Sequence, residues 1–585
     1  MDRKSIIVLV VSFALILLWP KMMNQLYPPP PKSTNVVESA TNQLASTNFS
    51  APSITASPTN AAAIPTIAKD APEKLLVVTS DNALYTFTSH GGALKYIELR
   101  KYPQTIDCEK TNAGTQLMAS LNRHAPAPIL SLTDGTSAEK GSFNLTSSGD
   151  TVRAERTLAS GLVEIKEFQI SSNYLLSAKV RLENRSAQTI VVPGHELVVG
   201  TATAVRTNDA PMTLGAFWFN GEKAEHIDEN WFANKTLGCI PGTPREEFSG
   251  GTSNVVWAAV HNQFFTLAVI PKEAAPKMVS RLVVLPPPTN SLTTLAPLKA
   301  IQTSLAYPSL TLTANQGMER QYTIYAGPKE YNRLARIGDD FKNKLDLLMN
   351  FGFFGFFAKM LLLSMNGFHA LGLTYGWSIV AITVIIKLLF WPLTNASTKS
   401  MKRMAALQPQ MKAIADKYKD DPAKKNQKTM EFMKENKVSP LGGCLPMLLQ
   451  IPVFFGFYTM LQSAIELRGA SFLWACDLSQ ADTVAHIAGF PINPMPLLMG
   501  ITMLFQARLT PMSPGMDPMQ QKIMKYMPLM FMFILYKMSA GLTLYWTVQN
   551  LLTIAQMKMT KTDPIVDAKP AAPAKPKAIA PKKKK

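Results

Sequence analysis

Beyond residue 373 the chain carries a succession of apolar runs, 374–394, 441–464, 492–509 and a double run over 523–557. Each approaches the roughly 20 residues that a helix needs to cross a bilayer. Hydrocarbon offers the backbone no hydrogen bonds, so runs this apolar satisfy their own peptide groups by folding as helices. With the apolar stretch at 6–19, the pattern reads as an α-helical polytopic membrane protein of six transmembrane helices.

Charge orients these spans. The formal net charge is +19, and 395–440 alone holds eleven Lys or Arg against five Asp or Glu. Basic segments beside membrane helices mark the cytoplasmic side. Arg3 and Lys4 followed by 6–19 have the form of a secretory signal, yet no small-x-small cleavage site follows directly. Residues 1–27 therefore read as an uncleaved signal-anchor helix. Six spans then put the N-terminus and the basic tail, 558–585, in the cytoplasm.

Between the first two spans lies an exported portion. Residues 28–72 are rich in Pro, Ser, Thr, Ala and Asn and bury too little surface to fold, so they read as a disordered tether. From 73 to 326, short alternating runs such as "LVEIKEFQI" and "LLSAKVRLE" are separated by Gly, Pro and Asn turns. Period-2 patterning of this kind predicts a large periplasmic antiparallel β-sandwich. At 327–373 the spacing turns helical, and the short "FGFFGFFAKMLLL" suits an interfacial helix. Residues 395–440 predict a cytoplasmic helical hairpin broken at Pro422, because proline fits the first turn of a helix better than its interior. A solvated charged linker is the plainer reading of that segment. Residues 465–491 become a periplasmic loop and 510–522 a cytoplasmic one. Cys108 and Cys239 fall in the exported portion and Cys444 in a membrane segment; pairing of the first two and two free thiols both stay open.

Within the spans, polar residues recur at helical spacing. Thr383 and Lys387 share a face. Gln450 interrupts the third span, and Thr543, Thr547 and Asn550 run along the last, beside Tyr545 and Trp546. Singly, such Thr, Gln and Asn residues are ordinary interhelical glue. Lys387 leaves two readings open. Its stem could snorkel back to the cytoplasmic surface, against the tilt of Cβ toward the helix N-terminus, or its ammonium could face a hydrated cavity. Catalysis finds no motif: "HELVV" at His195 lacks a second zinc-ligating histidine, and neither a G-x-S-x-G elbow nor a P-loop is present. No metal or cofactor is expected. A secondary transporter would show paired repeats, and none appears; an anchored glycan-binding sandwich is the other alternative.

The runs "KVSPLGGCLPMLLQIPVFFGFYTML", "DPMQQKIMKYMPLMFMFI" and "AGLTLYWTVQNLLTIAQ" resemble the core of the YidC/Oxa family of membrane-protein insertases, strongly over about 370–560. The resemblance implies a five-helix insertase core in the bacterial inner membrane, enclosing a hydrophilic groove open to cytoplasm and lipid. It also implies a mobile cytoplasmic hairpin and a sandwich inessential for insertion. Lys387 matches the family's usual groove arginine, and Thr383, Gln450, Trp546 and Asn550 match other groove positions. Tyr545 and Thr547 adjoin them. Lysine keeps the charge without the planar fork of arginine. Trp546 replaces a common tyrosine and can donate but not accept. The implied partners are nascent membrane-protein clients, membrane lipids, the Sec translocon, and the ribosome through hairpin and tail. Lys569, Lys575, Lys577 and Lys582 to Lys585 occur without an aromatic, which suits blind attraction to phosphate and not base readout of DNA. A merely solvated tail stays open.

Overall fold

The computed structural model describes residues 71–106, 117–133, 142–205, 213–234, 242–285, 298–418, 421–436, 445–510 and 518–560. The expected signal anchor, nearly all of the tether and of the basic tail, and Cys108, Cys239 and Cys444 lie outside these residues. The described chain divides into two units, one ending at Asn350 and one beginning at Phe351.

The first unit is β-rich. A nine-stranded sheet runs in the order 224–228, 215–219, 257–261, 265–271, 317–328, 175–184, 162–170, 151–157, 144–148. Every adjacent pair in it is antiparallel. A five-stranded sheet, in the order 247–250, 277–285, 298–307, 195–202, 132–133, packs on it through the strands 195–202 and 298–307. Strand 175–184 alternates buried and open positions, as one-sided burial requires, and the last strand runs two residues past the expected boundary, to Pro328. Strands 195–202, 257–261 and 265–271 are buried at every position, covered on both faces. One cover is the segment after helix α1, Tyr331–Asp340: the Trp257 indole, fully buried, donates to the Asn343 carbonyl at 2.8 Å.

The second unit is helical: α2 Gly355–Ala370, α3 Tyr375–Ala406, α4 Gln408–Lys417, α5 Pro422–Glu435, α6 Leu445–Ser463, α7 Pro494–Leu509, α8 Pro518–Ile534 and α9 Ala540–Met559. Among the described residues, α3 is the helix long and apolar enough to cross a bilayer by length and composition, with a shorter apolar stretch at Lys525–Ile534. The apolar run 374–394 is only the first part of α3. Nothing in "NASTKSMKRMAA" stops a helix, so it continues to Ala406 into the segment expected to open the hairpin. The break falls at Pro422, in the first turn of α5, where the Asp421 carboxylate accepts from the Lys424 amide at 3.0 Å. Met404, Leu407, Met411, Phe432 and Met433 close α3, α4 and α5 around a small apolar core. Asp421→Ala should cost the start of α5 about 1 kcal/mol of cap energy, seen as faster amide exchange over its first turn with the rest of the unit unchanged.

Helix α2 packs along α6. Gly456 makes the approach feasible, since a Cβ there would lie 2.8 Å from the Phe357 side chain. Beyond α6, residues 464–493 carry a strand pair, Ala485–Ile487 with Phe490–Ile492. Cys476, in that segment, is disulfide-bonded.

Candidate functional site

Helix α9 is the hub of the helical unit, packed against α3, α6 and α7. Its relation to α3 follows from two contacts. Ile379 lies opposite Gly541, and the Gln556 amide donates to the Thr394 hydroxyl at 2.6 Å. The same offset at both points shows the two helices running parallel and in register, with Gln549 level with Lys387. Helix α6 runs antiparallel to α9, Leu461 meeting Gly541 while Gln450 meets Gln549. Helix α7 runs parallel, from Thr502 beside Asn550 to Phe505 under the Lys558 ammonium.

This arrangement sorts the charges. Helices α2, α3 and α6 to α9 contain no Asp or Glu at all. Lys399, Lys402 and Arg403 at the end of α3, Arg508 at the end of α7, Lys522 and Lys525 at the start of α8 and Lys558 at the end of α9 all gather at one end of the unit. Lys402 is used structurally: it donates to the Met557 and Thr560 carbonyls at 2.9 and 2.6 Å, satisfying the open end of α9. Lys387 sits well inside the apolar length and is 6% exposed.

The Lys387 ammonium donates to the Thr553 hydroxyl at 2.8 Å, and Thr553 passes its own proton to the Gln549 carbonyl at 2.7 Å. Among the described residues no carboxylate pairs with it. Thr553 stands one helical turn beyond the level of Lys387, toward the basic end. The side chain therefore reaches in the direction opposite to the bias of its Cβ, because the acceptor lies there. It is packed against α9, so the charge is neither in open lipid nor returned to the surface.

The other sequence-derived positions divide. Gln450 donates to the Tyr545 hydroxyl and accepts from the Gln549 amide at 3.2 Å, while the Tyr545 ring stacks on Phe457 at 4.1 Å. Asn550 donates to Thr502 at 3.2 Å, toward α7. Thr383 and Thr547 are buried, and each hydroxyl donates to a carbonyl of its own helix, Ile379 and Thr543. Trp546 packs between Phe454 and Phe531, with centroids at 4.8 and 5.5 Å. Of the seven expected residues, Gln450 and Tyr545 are the pair joined directly by a hydrogen bond. Thr553, Gln549 and Thr502 complete the constellation and were not singled out from the sequence. Tyr545, Gln549 and Thr553 recur every four residues, a stripe that was legible. Thr553→Val should leave the ammonium without its acceptor and weaken the α3–α9 pairing, by more than the roughly 0.6 kcal/mol of an average neutral bond in a membrane. Amide exchange along α9 reads the effect, and Thr553→Ser should be silent.

Comparison with known proteins adds the following. Residues 367–566 match a family model described as 60Kd inner membrane protein, and residues 75–363 match one described as YidC periplasmic domain. The membrane protein insertase YidC of Citrifermentans bemidjiense is 33% identical over 503 residues, covering 82% of this chain and 84% of its own. That of Oleidesulfovibrio alaskensis is 32% identical over 590 residues, covering 95% and 98%. A crystal structure of an active YidC insertase with its first transmembrane domain resolved is 19% identical, covering 85% of this chain and 95% of that one with a TM-score of 0.33.

Proposed function

The chain belongs to the YidC family of membrane protein insertases, and from that premise we propose that it inserts nascent proteins into the bacterial inner membrane along the polar face of α9. The observation that carries the reading is a lysine buried among helices devoid of carboxylates, with polar side chains of α6, α7 and α9 around the same hub. A charge kept in such a place without a counter-ion marks a substrate path.

Six spans, with both termini in the cytoplasm and the β-rich unit in the periplasm, fit the gathering of Lys and Arg at one end of the helical unit. The disulfide at Cys476, near the opposite end, fits an oxidising compartment there. In this topology the cytoplasmic end admits the hydrophilic tail of a client. Lys387, Gln450, Gln549 and Asn550, with water among them, form a groove that carries polarity partway across the bilayer and shortens the low-dielectric barrier. Lys387 attracts acidic residues of the tail. The client's apolar helix then moves into lipid, where burial at about 25 cal/mol per Å² of apolar surface draws it away. No covalent bond is made or broken and no nucleotide is consumed. The α4–α5 hairpin and the basic tail offer cations to the phosphates of a translating ribosome, and the Sec translocon is a further partner for longer clients.

Complementation tests the reading. In cells depleted of their insertase, the chain should restore insertion of a small one- or two-span client, and should do so after removal of most of the β-rich unit. Failure of the full chain, stably expressed in the membrane, rejects insertion. Failure of the truncated chain alone makes the exported unit essential.

A further inference from the structure

Residues 469–493, between α6 and α7, lie at the end of the helical unit opposite the basic cluster, and they show an unusual surface. The segment contains two carboxylates and neither faces outward; Asp477 and Asp482 are each 4% exposed. Asp477 accepts from the Gly469 and Ser479 amides, the Ser479 hydroxyl and the Gln480 side chain. Asp482 accepts from the Trp474 indole at 2.7 Å and the Met495 amide at 2.6 Å, the latter in the first turn of α7. The apolar side chains, by contrast, point out. Ile487 is 66% exposed, Phe490 56%, and Leu473, Trp474 and Val484 are exposed as well.

The strand pair 485–487 and 490–492 turns at Ala488 and Gly489, both with positive φ, and its first strand is open at every position. A lone two-stranded hairpin is marginal in water, and this one has no sheet to join. It is instead braced from the helical unit: Phe490 stacks on Tyr536 at 5.2 Å, and the Tyr536 hydroxyl donates to the Pro491 carbonyl at 2.7 Å. Trp377, exposed in the first turn of α3, packs edge-on against Phe472 of the same segment at 5.4 Å. Two tryptophans and a phenylalanine thus ring this end, the composition found where a membrane protein meets the lipid headgroups.

We infer that the segment 469–493 is an interfacial anchor, its hairpin tip inserted into the headgroup and upper acyl region of the periplasmic leaflet. The occupant of this apolar surface is lipid, because the surface continues the exposed faces of α7 and α8, which carry Ile501, Phe505, Leu529 and Phe533, and because within 469–493 no carboxylate, Lys or Arg faces outward. By fixing the level of α7 in the bilayer through the Asp482 bond to Met495, the anchor sets the depth of the polar face of α9. The inference rests on the topology proposed above.

The test uses the full-length protein in nanodiscs of phosphatidylethanolamine and phosphatidylglycerol carrying a radiolabelled lipid. p-Benzoylphenylalanine replaces Ile487, Leu388 or Val191 in turn. Leu388 is exposed midway along α3 and Val191 is exposed in the β-rich unit, so they bracket the result. Photolysis should attach lipid at Ile487 in a yield near that at Leu388 and several-fold above that at Val191. If Leu388 takes lipid while Ile487 stays at the Val191 level, or attaches to a second protein chain instead, the anchor is overturned. If Leu388 itself takes no lipid, the span reading fails, and the anchor with it.

Discussion

Lys387→Glu should largely abolish insertion of clients with acidic translocated tails, while Lys387→Arg preserves it. The ammonium lies among helices that hold no carboxylate, so reversing the charge removes the attraction for an acidic tail and replaces it with repulsion. Two like charges about 4 Å apart at an effective dielectric near 20 repel by about 4 kcal/mol, well over a tenfold effect on occupancy. The defect should ease when the client tail is neutralised. Arginine keeps the charge, although its planar fork must find Thr553 in a new geometry. Lys387→Leu separates a working charge from a tolerated one: if the lysine only packs against α9, leucine inserts every client normally, since it removes a polar group that costs energy to bury. Insertion of acidic, neutral and basic client tails at matched expression decides the matter, and normal insertion by Lys387→Glu and Lys387→Leu together rejects the role.

Much of this architecture was legible because its causes are local. Alternation at 175–184 announces a half-buried strand, and Pro422 after an acidic cap announces a helix start. What was not legible depends on partners. Strands 195–202 and 257–261 are buried on both sides, which erases alternation as a signal. The length of α3 was hidden because polarity changes at Thr394 while helix propensity does not. In the candidate site, spacing found the faces but not the bonds. Thr383, Thr547 and Thr553 are equally ordinary in sequence and each hydroxyl donates to a carbonyl of its own helix, yet Thr553 also accepts from the buried Lys387 ammonium. The direction in which Lys387 reaches depends on its partner in the same way: a Cβ bias is small beside a hydrogen bond from a charged donor to the Thr553 hydroxyl.

The β-rich unit also buries lysines, and at Lys329 the expected effect has the opposite sign. Lys329, 4% exposed, has no ion-pair partner among the described residues, and burial pushes its pKa down to about 8. Its charge also bears on His261 and His226, whose Nε2 atoms lie 3.1 Å apart and whose pKa values are lowered, chiefly by burial. Below pH 8 the lysine is protonated in both the folded and the unfolded chain, and the fold carries the cost of burying that charge, about 3 kcal/mol from the size of the shift. Between pH 8 and about 10 the unfolded chain holds a proton that the folded one has released, so stability rises with pH at about 1.4 kcal/mol per unit. Lys329→Met, close in shape and uncharged, should therefore stabilise the unit at pH 7 by up to about 3 kcal/mol and flatten that rise. The histidines act at lower pH. Their folded-state values lie below the unfolded ones, so stability is lost as pH falls below about 6.5 in both proteins, and less steeply in Lys329→Met because one neighbouring cation is gone. Amide exchange of the strands 257–261 and 265–271 in the full-length protein, followed from pH 5 to 10, measures all three effects. An unchanged or weakened protection at pH 7 in Lys329→Met would mean that the ammonium has a stabilising partner which outweighs its desolvation.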